Sequence, residues 1–315
     1  MSADVVVFDR VQRWFGDQPV LRGLSLRVQP GTVYALLGRN GTGKTTALRI
    51  LLGFLHPHVG SVTVFGRDSR DLGPVERARI GYVGEEHRLY PTMTVGDAVA
   101  FERETRPAFR ATFVEKALDR CALRRKQMIV RLSRGQRAQL SLIMAVAGDP
   151  ELLVCDDPAL GLDVVMRREF LDALVDLLAE TGCTVLFSSH FLTDVERVAD
   201  RIGILHEGAL LVDATLDDLK RRVARCAWSP TAGDPPPIGP HVLRAAPRRG
   251  GFDLTLLDPT PEFLASLRAR GAVENAPAPS LEEVFLDLTG PERPGLLREP
   301  LDELVSPGKA EGAAR

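Results

Sequence analysis

Short apolar runs alternate along much of the chain with longer segments whose apolar residues recur every three or four positions. The first pattern is typical of buried strands and the second of amphipathic helices. Strands are predicted at residues 4–8, 24–28, 32–37, 61–65, 80–83, 152–155, 184–188 and 201–205. Helices are predicted at residues 44–52, 95–104, 111–121, 136–147 and 164–180. This alternation predicts an α/β fold around a parallel sheet, interrupted by a helical insertion at about 86–150.

The composition changes after residue 225, where we expect the first domain, residues 1–225, to end. Residues 226–240 are predicted to be a linker, because positions 229–240 hold five prolines and two glycines. A small α+β domain is predicted at 241–290, with strands and a helix near 242–245, 252–257 and 261–269. The tail 291–315 is rich in Pro, Gly, Glu and Ala, and we expect it to be disordered.

The overall composition is that of a soluble globular protein. Of the 315 residues, 44% are hydrophobic and 26% are charged. Forty basic and forty-two acidic side chains leave a net charge of −2, so bulk charge does not attract nucleic acid, and no nucleic-acid partner is expected. The four cysteines lie far apart without metal-ligand spacing, which predicts reduced thiols.

The chain shows no signal that would target it into or across a membrane. Its first residues, MSADVVVFDR, lack the apolar core of a secretory signal. No window approaches the ~18 apolar residues that a membrane helix needs. We therefore expect a cytoplasmic chain that reaches a membrane only through a partner.

A glycine-rich loop between a predicted strand and a predicted helix has the G-x-x-x-x-G-K-[ST] pattern. Glycines let the backbone curl so that its N–H groups face phosphate oxygens, and the helix start adds its positive dipole end. The lysine reaches the β- and γ-phosphates, and the following threonine offers a hydroxyl to Mg²⁺. The loop therefore predicts binding of a nucleoside triphosphate, which the family resemblance described below makes ATP, by Gly38, Arg39, Asn40, Gly41, Thr42, Gly43, Lys44, Thr45 and Thr46.

Two carboxylates end the apolar strand predicted at 152–155. An acid at the end of a buried strand beside a phosphate loop is suited to hold Mg²⁺ together with Thr45, and Asp156 fits that role. The next carboxylate, Asp157, is placed to orient and polarise an attacking water.

The segment Leu-Ser-Arg-Gly-Gln at 132–136 precedes a predicted helix. Alone it is an ordinary helix cap, but together with the motifs above it resembles the LSGGQ signature of ATP-binding cassette (ABC) ATPases, with Arg134 replacing the first glycine. The resemblance covers about residues 4–225. It implies a RecA-like P-loop NTPase core with an antiparallel β subdomain and a helical insertion.

The same resemblance implies roles for further residues. Phe15 lies where the family has an aromatic that stacks on adenine, and His190 matches the switch histidine that contacts the γ-phosphate. Residues 159–163 match the D-loop, which crosses the dimer interface. ABC ATPases form head-to-tail dimers in which one signature caps the ATP of the other subunit, a role that falls to Ser133, Gly135 and Gln136.

Two residues depart from the family pattern. Glu85 stands where the family usually has Gln, and it can still approach Mg²⁺ and the water as an oxygen ligand. Asp157 stands where the family has Glu, and its carboxylate stops roughly 1–1.5 Å short of the glutamate position. Because such a displacement can cost about 10²-fold in rate, we hypothesise slow hydrolysis with normal ATP binding.

The closing segments point to a subtype. Residues 280–290 and 188–196 resemble segments of prokaryotic export-type ABC ATPase subunits. The resemblance implies a separately encoded integral membrane permease, contacted near residues 90–95, with Glu85 relaying the nucleotide state, at the inner face of the membrane. The ATPase would pair as a homodimer or a heterodimer. Two alternatives stay open: a permease-independent ABC ATPase acting on ribosomes or DNA, and a regulatory ATP-binding module with little turnover.

Overall fold

The computed structural model describes residues 3–106, 108–231 and 233–290. They form two compact units, one up to Ala209 and one from Leu210. The first unit contains an antiparallel sheet, a parallel sheet and a group of helices, and the second contains a small sheet with helices. The predicted ATPase domain ends later, near residue 225, and that boundary stays a prediction. No helix in the described ranges has the length and apolar content needed to cross a membrane.

The antiparallel sheet has the order β2-β1-β4-β5. Its strands are β1 (Val6–Phe15), β2 (Gln18–Val28), β4 (Val59–Val64) and β5 (Arg67–Asp68). β1 and β2 are longer than predicted because the register shifts between Phe8 and Val11, which breaks the apolar alternation that the prediction follows. Gly16 turns the chain between them with a φ of 56°.

The parallel sheet places the candidate site. Within the first unit its order is β9-β3-β8-β7-β6. The strands are β3 (Val33–Leu37), β6 (Ile80–Val83), β7 (Leu152–Asp156), β8 (Thr184–Ser189) and β9 (Arg201–His206). Every residue of β3, β7 and β8 is buried, which explains their continuous apolar sequence. Since all five strands run the same way, their carboxyl ends meet at one edge.

Helices of the first unit follow these strands. They are α1 (Lys44–Leu51), α2 (Pro74–Ala78), α6 (Val164–Thr181) and α7 (Leu192–Val198). The helical insertion is formed by α3 (Val95–Thr105), α4 (Ala111–Arg120) and α5 (Arg134–Val146). Val95, Val114, Leu118 and Leu140 lie in its core, each at most 2% exposed. The α/β fold and the predicted helices are thus confirmed, with bounds within two residues of those expected.

The second unit contains β10 (Ala209–Thr215), α8 (Leu216–Arg222), β11 (Val223–Pro230), β12 (Val242–Arg248), β13 (Gly251–Leu257), α9 (Pro261–Arg270), β14 (Gly271–Asn275) and α10 (Leu281–Thr289). Its antiparallel sheet has the order β12-β13-β11-β14. Trp228 of β11 is fully buried, and its indole N–H donates to the Leu267 carbonyl oxygen at 3.0 Å. The small α+β domain expected at 241–290 stays a prediction, and this core also includes Cys226 and Trp228 from outside that range.

The linker predicted at 226–240 needs one correction. Its first residues, 226–230, belong to β11 and pair with both β13 and β14. Cys226 and Trp228 alternate into the core, which outweighs the single proline at the end of the strand. The run of three prolines lies beyond it, at 235–237, outside any strand or helix. The tail predicted to be disordered, 291–315, lies outside the described residues.

Candidate nucleotide-binding and catalytic site

The phosphate loop connects β3 to α1, as its sequence predicts. A Cβ at Gly38 would lie 2.5 Å from Thr42 Oγ1 and 2.6 Å from the Leu205 carbonyl oxygen, so only glycine fits there. Gly41 and Gly43 adopt φ values of 82° and 106°, which residues with a Cβ rarely adopt. These glycines therefore give the loop the curled backbone that phosphate binding requires.

Lys44 lies against the inside of this loop. Its ammonium donates to the carbonyl oxygens of Gly38 at 2.7 Å and Arg39 at 3.2 Å. Burial lowers its pKa, and the nearby carboxylates of Asp157, Asp156 and Glu85 oppose that shift. The ammonium of Lys44 is thus held by carbonyl oxygens of the loop and feels the charge of three nearby carboxylates.

The predicted Mg²⁺ pair is brought together at the end of β7. Asp156 Oδ1 accepts hydrogen bonds from Thr45 Oγ1 at 3.0 Å and from Ser188 Oγ at 2.9 Å. Ser188 Oγ in turn accepts from the Asp157 backbone N–H at 2.9 Å. Sequence reasoning missed Ser188 as a site residue, although the register of β7 against β8 places it beside Asp156. The sequence feature that could have identified Ser188 is a polar side chain at the end of a buried strand.

Asp157 and His190 are in direct contact. His190 Nδ1 lies 2.5 Å from Asp157 Oδ2, while Asp157 Oδ1 is buried with no hydrogen-bond partner among the described residues. Burial raises the pKa of Asp157, whereas His190 and Lys44 act in the opposite direction. Asp157 also has a φ of 46°, which costs free energy in a non-glycine residue. One oxygen is therefore held by the histidine, and the other is buried without a hydrogen-bond partner in the described part of the chain.

Glu85 follows β6 and is exposed. It lines a cavity of about 380 Å³ together with Asp156, Tyr82 and Arg49. The structure thus brings Glu85 and the predicted metal ligand Asp156 to one cavity, next to the edge where β6 and β7 end.

Phe15 ends β1 with 48% of its surface exposed. The hairpin it belongs to reaches the phosphate loop, because a Cβ at Gly43 would lie 2.9 Å from the Val20 carbonyl oxygen. The Arg13 guanidinium carbon lies 4.8 Å from the Phe15 ring centroid. An exposed ring with a cation against it, near the loop, is suited to stack on a base.

Ser133, Gly135 and Gln136 form the start of α5. Ser133 Oγ accepts from the Gln136 backbone N–H, and Gln136 Oε1 accepts from the Ser133 backbone N–H, both at 3.1 Å. A Cβ at Gly135 would lie 2.5 Å from Met166 Sδ, so any larger residue there would displace the Met166 side chain. Within the described ranges, the side-chain hydrogen bonds of Ser133 and Gln136 stay inside this cap. The helix start itself is open to a ligand from outside the chain.

The donor atoms at this edge are hard oxygens. No group of three His, Cys, Asp or Glu in the described residues could hold a metal alone. Mg²⁺, however, keeps several waters and is bound through one or two carboxylates plus substrate phosphates. The hydroxyl of Thr45 and the carboxylate of Asp156, 3.0 Å apart, fit that requirement.

Comparison with known proteins gives a consistent result. Residues 21–160 match the family described as ABC transporter. The chain is 33% identical over 303 residues to Nod factor export ATP-binding protein I of Burkholderia orbicola (strain AU 1054), which covers 93% of this chain and 99% of that protein. It is 32% identical over 220 residues to bacitracin transport ATP-binding protein BcrA of Enterococcus faecalis, covering 69% and 71%.

Solved structures show the same fold. An ATP-binding subunit of an ABC transporter superposes with a TM-score of 0.63 at 26% identity, covering 69% of this chain and 92% of that one. A bacterial Atm1-family ABC exporter with ATP bound gives a TM-score of 0.61 at 26% identity, covering 70% of this chain and 40% of the exporter.

Replacing Gly38 by alanine tests the geometry of the loop. The added Cβ would clash with Thr42 Oγ1 and the Leu205 carbonyl oxygen, so the loop must open. We expect nucleotide affinity, measured by equilibrium binding, to fall about tenfold to 100-fold. Gly239→Ala is the matched control, because the nearest atom to its Cβ is 4.0 Å away. Unchanged affinity in Gly38→Ala would show that the loop does not bind phosphate.

Proposed function

The chain belongs to the ABC transporter family, and we propose that it hydrolyses ATP to drive a separately encoded membrane permease in the direction of export. As an ATP-binding subunit of this family it couples ATP hydrolysis to transport. The observation that carries the catalytic proposal is the continuous polar chain from Thr45 through Asp156, Ser188 and Asp157 to His190. Support for export comes from relatives named for Nod factor export and bacitracin transport.

The residues of this polar chain divide the chemistry among them. The phosphate loop and Lys44 bind the phosphates, and Mg²⁺ held by Thr45 and Asp156, with Glu85 nearby, supplies neutralising charge when bound. Asp157 Oδ1, which has no partner, orients the attacking water and accepts its proton as the oxygen bonds to the γ-phosphorus. His190, fixed through Asp157 Oδ2, contacts the γ-phosphate. The bond between the γ-phosphorus and the β–γ bridging oxygen breaks, and ADP leaves with that oxygen.

A second copy completes the site. The exposed Ser133 and the N-terminal N–H groups of α5 form an anion-binding end, which we assign to the γ-phosphate of ATP held by a partner ATPase. ATP then joins two subunits, and hydrolysis releases them. Either a homodimer or a heterodimer satisfies this arrangement.

The permease contacts the cavity lined by Glu85. Tyr90 and Phe101 are 63% and 46% exposed, and their ring centroids lie 6.4 Å apart. A soluble surface seldom exposes a pair of aromatics side by side unless it binds a partner. A helix of the permease seated near residues 90–95 would bring movement of Glu85 to the nucleotide site, and it would hold the chain at the inner face of the membrane.

Binding to the permease is the experiment that tests this function. The full chain is expressed together with a candidate multi-span membrane permease, chosen from the genes that flank its own, and is purified through that protein. We expect co-purification, and we expect Tyr90→Ala to weaken it at least about tenfold. Val75→Ala, a control at a 73% exposed position of α2, should leave it unchanged. Equal retention of both variants would remove residues 90–95 from the interface, and no retention of the wild type would contradict the permease-driven function.

The second prediction concerns the length of the catalytic carboxylate. We expect Asp157→Glu to raise kcat by about tenfold or more, because the added methylene extends the carboxylate by roughly 1–1.5 Å towards the water. ATP affinity should not change, since the phosphate loop is untouched. ATP turnover and equilibrium binding of the purified chain measure the two quantities. A lower kcat in Asp157→Glu would mean that the site is built for aspartate.

The third prediction is a pH profile. Burial raises the pKa of Asp157 above its ordinary value of 3.8, and the residue must be ionised to accept a proton. The active form is therefore present above the raised pKa and is lost as pH falls through it. We expect kcat, measured between about pH 4 and 8, to decline on the acid side at a pH above the usual aspartate range. The matched variant Asp157→Asn should lose most of its turnover, and its remaining kcat should not show this decline on the acid side.

A further inference from the structure

Arg167 connects the start of α6 to the segment that carries His190. Its guanidinium carbon lies 3.5 Å from the ring centroid of Phe191, a cation–π contact at close range. Its Nε lies 3.9 Å from Asp194 Oδ2 in α7. The Arg167 and Asp194 side chains are 20% and 7% exposed, so the cation and the anion are both largely removed from water.

The Phe191 ring also packs against the His190 ring. The two ring centroids lie 3.9 Å apart with an interplanar angle of 39°. Ser189 fixes the backbone of Phe191, because Ser189 Oγ accepts from the Phe191 N–H at 2.9 Å and donates to its carbonyl oxygen at 3.3 Å. The Phe191 ring therefore has little freedom to move independently of His190, whose Nδ1 holds Asp157 Oδ2.

The charges of this cluster are not arranged for maximum stability. Arg167 Nε and Asp194 Oδ2 are both buried without a hydrogen-bond partner among the described residues, and 3.9 Å is too long for a hydrogen bond between them. A buried ion pair that lacks good hydrogen bonds is often less stable than an apolar pair of similar size. Burial raises the pKa of Asp194, Arg167 opposes this, and the charges of Asp157 and His190 also act on it. The pair is thus electrically coupled to the catalytic residues.

Arg167 lies in the first turn of α6, which directly follows the segment 159–163. Arg167 lies one helical turn after Asp163, whose side chain caps α6 by accepting from the Met166 N–H at 2.9 Å. The Arg167 N–H donates to the Asp163 carbonyl oxygen at 2.9 Å. The backbone of Arg167 is therefore tied to Asp163 by the first turn of α6.

We propose that Arg167 is a positioning residue for His190, which it holds through the Phe191 ring and the Asp194 carboxylate. The proposal rests on the proposed function in so far as His190 acts on ATP. The contact itself depends only on residues of one chain.

The test uses the full chain with Arg167→Met, which removes the cation and keeps an unbranched side chain. We expect kcat for ATP to fall about tenfold or more, with KM and equilibrium ATP affinity unchanged, because only the geometry of His190 is altered. The neighbouring Arg168→Met is the matched control, since Arg168 is exposed on the same helix. Equal kcat in the two variants would overturn the proposal.

A double variant separates positioning from stability. Arg167→Met leaves Asp194 buried without its cation, which should lower Tm, and Asp194→Asn added to it should restore Tm. We expect kcat to stay low in the double variant, because the cation over Phe191 is still missing. Recovery of kcat together with Tm would mean that Arg167 only stabilises the fold, and would contradict the proposal. If Arg167→Met does not fold, Arg167→Gln removes the cation but keeps a planar polar group that can hydrogen-bond to Asp194, and wild-type kcat in that variant would contradict the proposal equally.

A spectroscopic measurement tests the proposal without relying on ATP turnover. The imidazole resonances of His190, assigned among the six histidines with His190→Gln, should shift in Arg167→Met and not in Arg168→Met. Unmoved resonances would overturn the proposal even if kcat changes. If the wild type hydrolyses no ATP but its His190 resonances respond as expected, the proposed function fails and the positioning contact stands.

Discussion

One carboxylate oxygen, Asp156 Oδ1, joins the parts from which the site is built. It accepts from Thr45 at the start of α1 and from Ser188 at the end of β8, and its own residue ends β7. The phosphate loop, the strand end that carries Asp157 and the strand end that leads to His190 thus share one acceptor. A carboxylate that is buried must receive hydrogen bonds to offset its desolvation, so these elements cannot separate at low cost.

This acceptor can serve three elements because the central strands are parallel and in fixed register. Asp156 lies beside Ser188 in the pairing of β7 with β8, and β3 pairs with β8 on its other side. A shift of one residue would turn Asp156 and Ser188 to opposite faces of the sheet. The apolar residues of β7 and β8 are buried, and by fixing the register of the two strands they fix the positions of Asp156 and Ser188 at the strand ends.

Local patterns predict the parts of this arrangement and miss the contacts between them. The order of strands and helices, the phosphate loop, Asp156 and Asp157 follow from short segments of sequence, whereas His190 is a candidate only through the family resemblance. Ser188 was missed because its role depends on a strand 32 residues away, and the strand at 226–230 was missed because proline and glycine nearby outweighed two buried side chains. The left-handed backbone of Asp157 has no sequence signal, since strain of that kind is imposed by its surroundings.

The strain at Asp157 and its contact with His190 are best understood together. A residue with a φ of 46° directs its side chain differently from the preceding strand residues, and here that direction leads to His190 at 2.5 Å. A short side chain can make this contact only if the backbone brings it close, so the conformation compensates in part for the missing methylene. The conformation does not extend the second oxygen, Asp157 Oδ1, to a partner. This oxygen stays buried without a hydrogen bond among the described residues. The histidine contact therefore occupies one oxygen of this short carboxylate and leaves the other for the water, so the position of His190 constrains where that second oxygen lies.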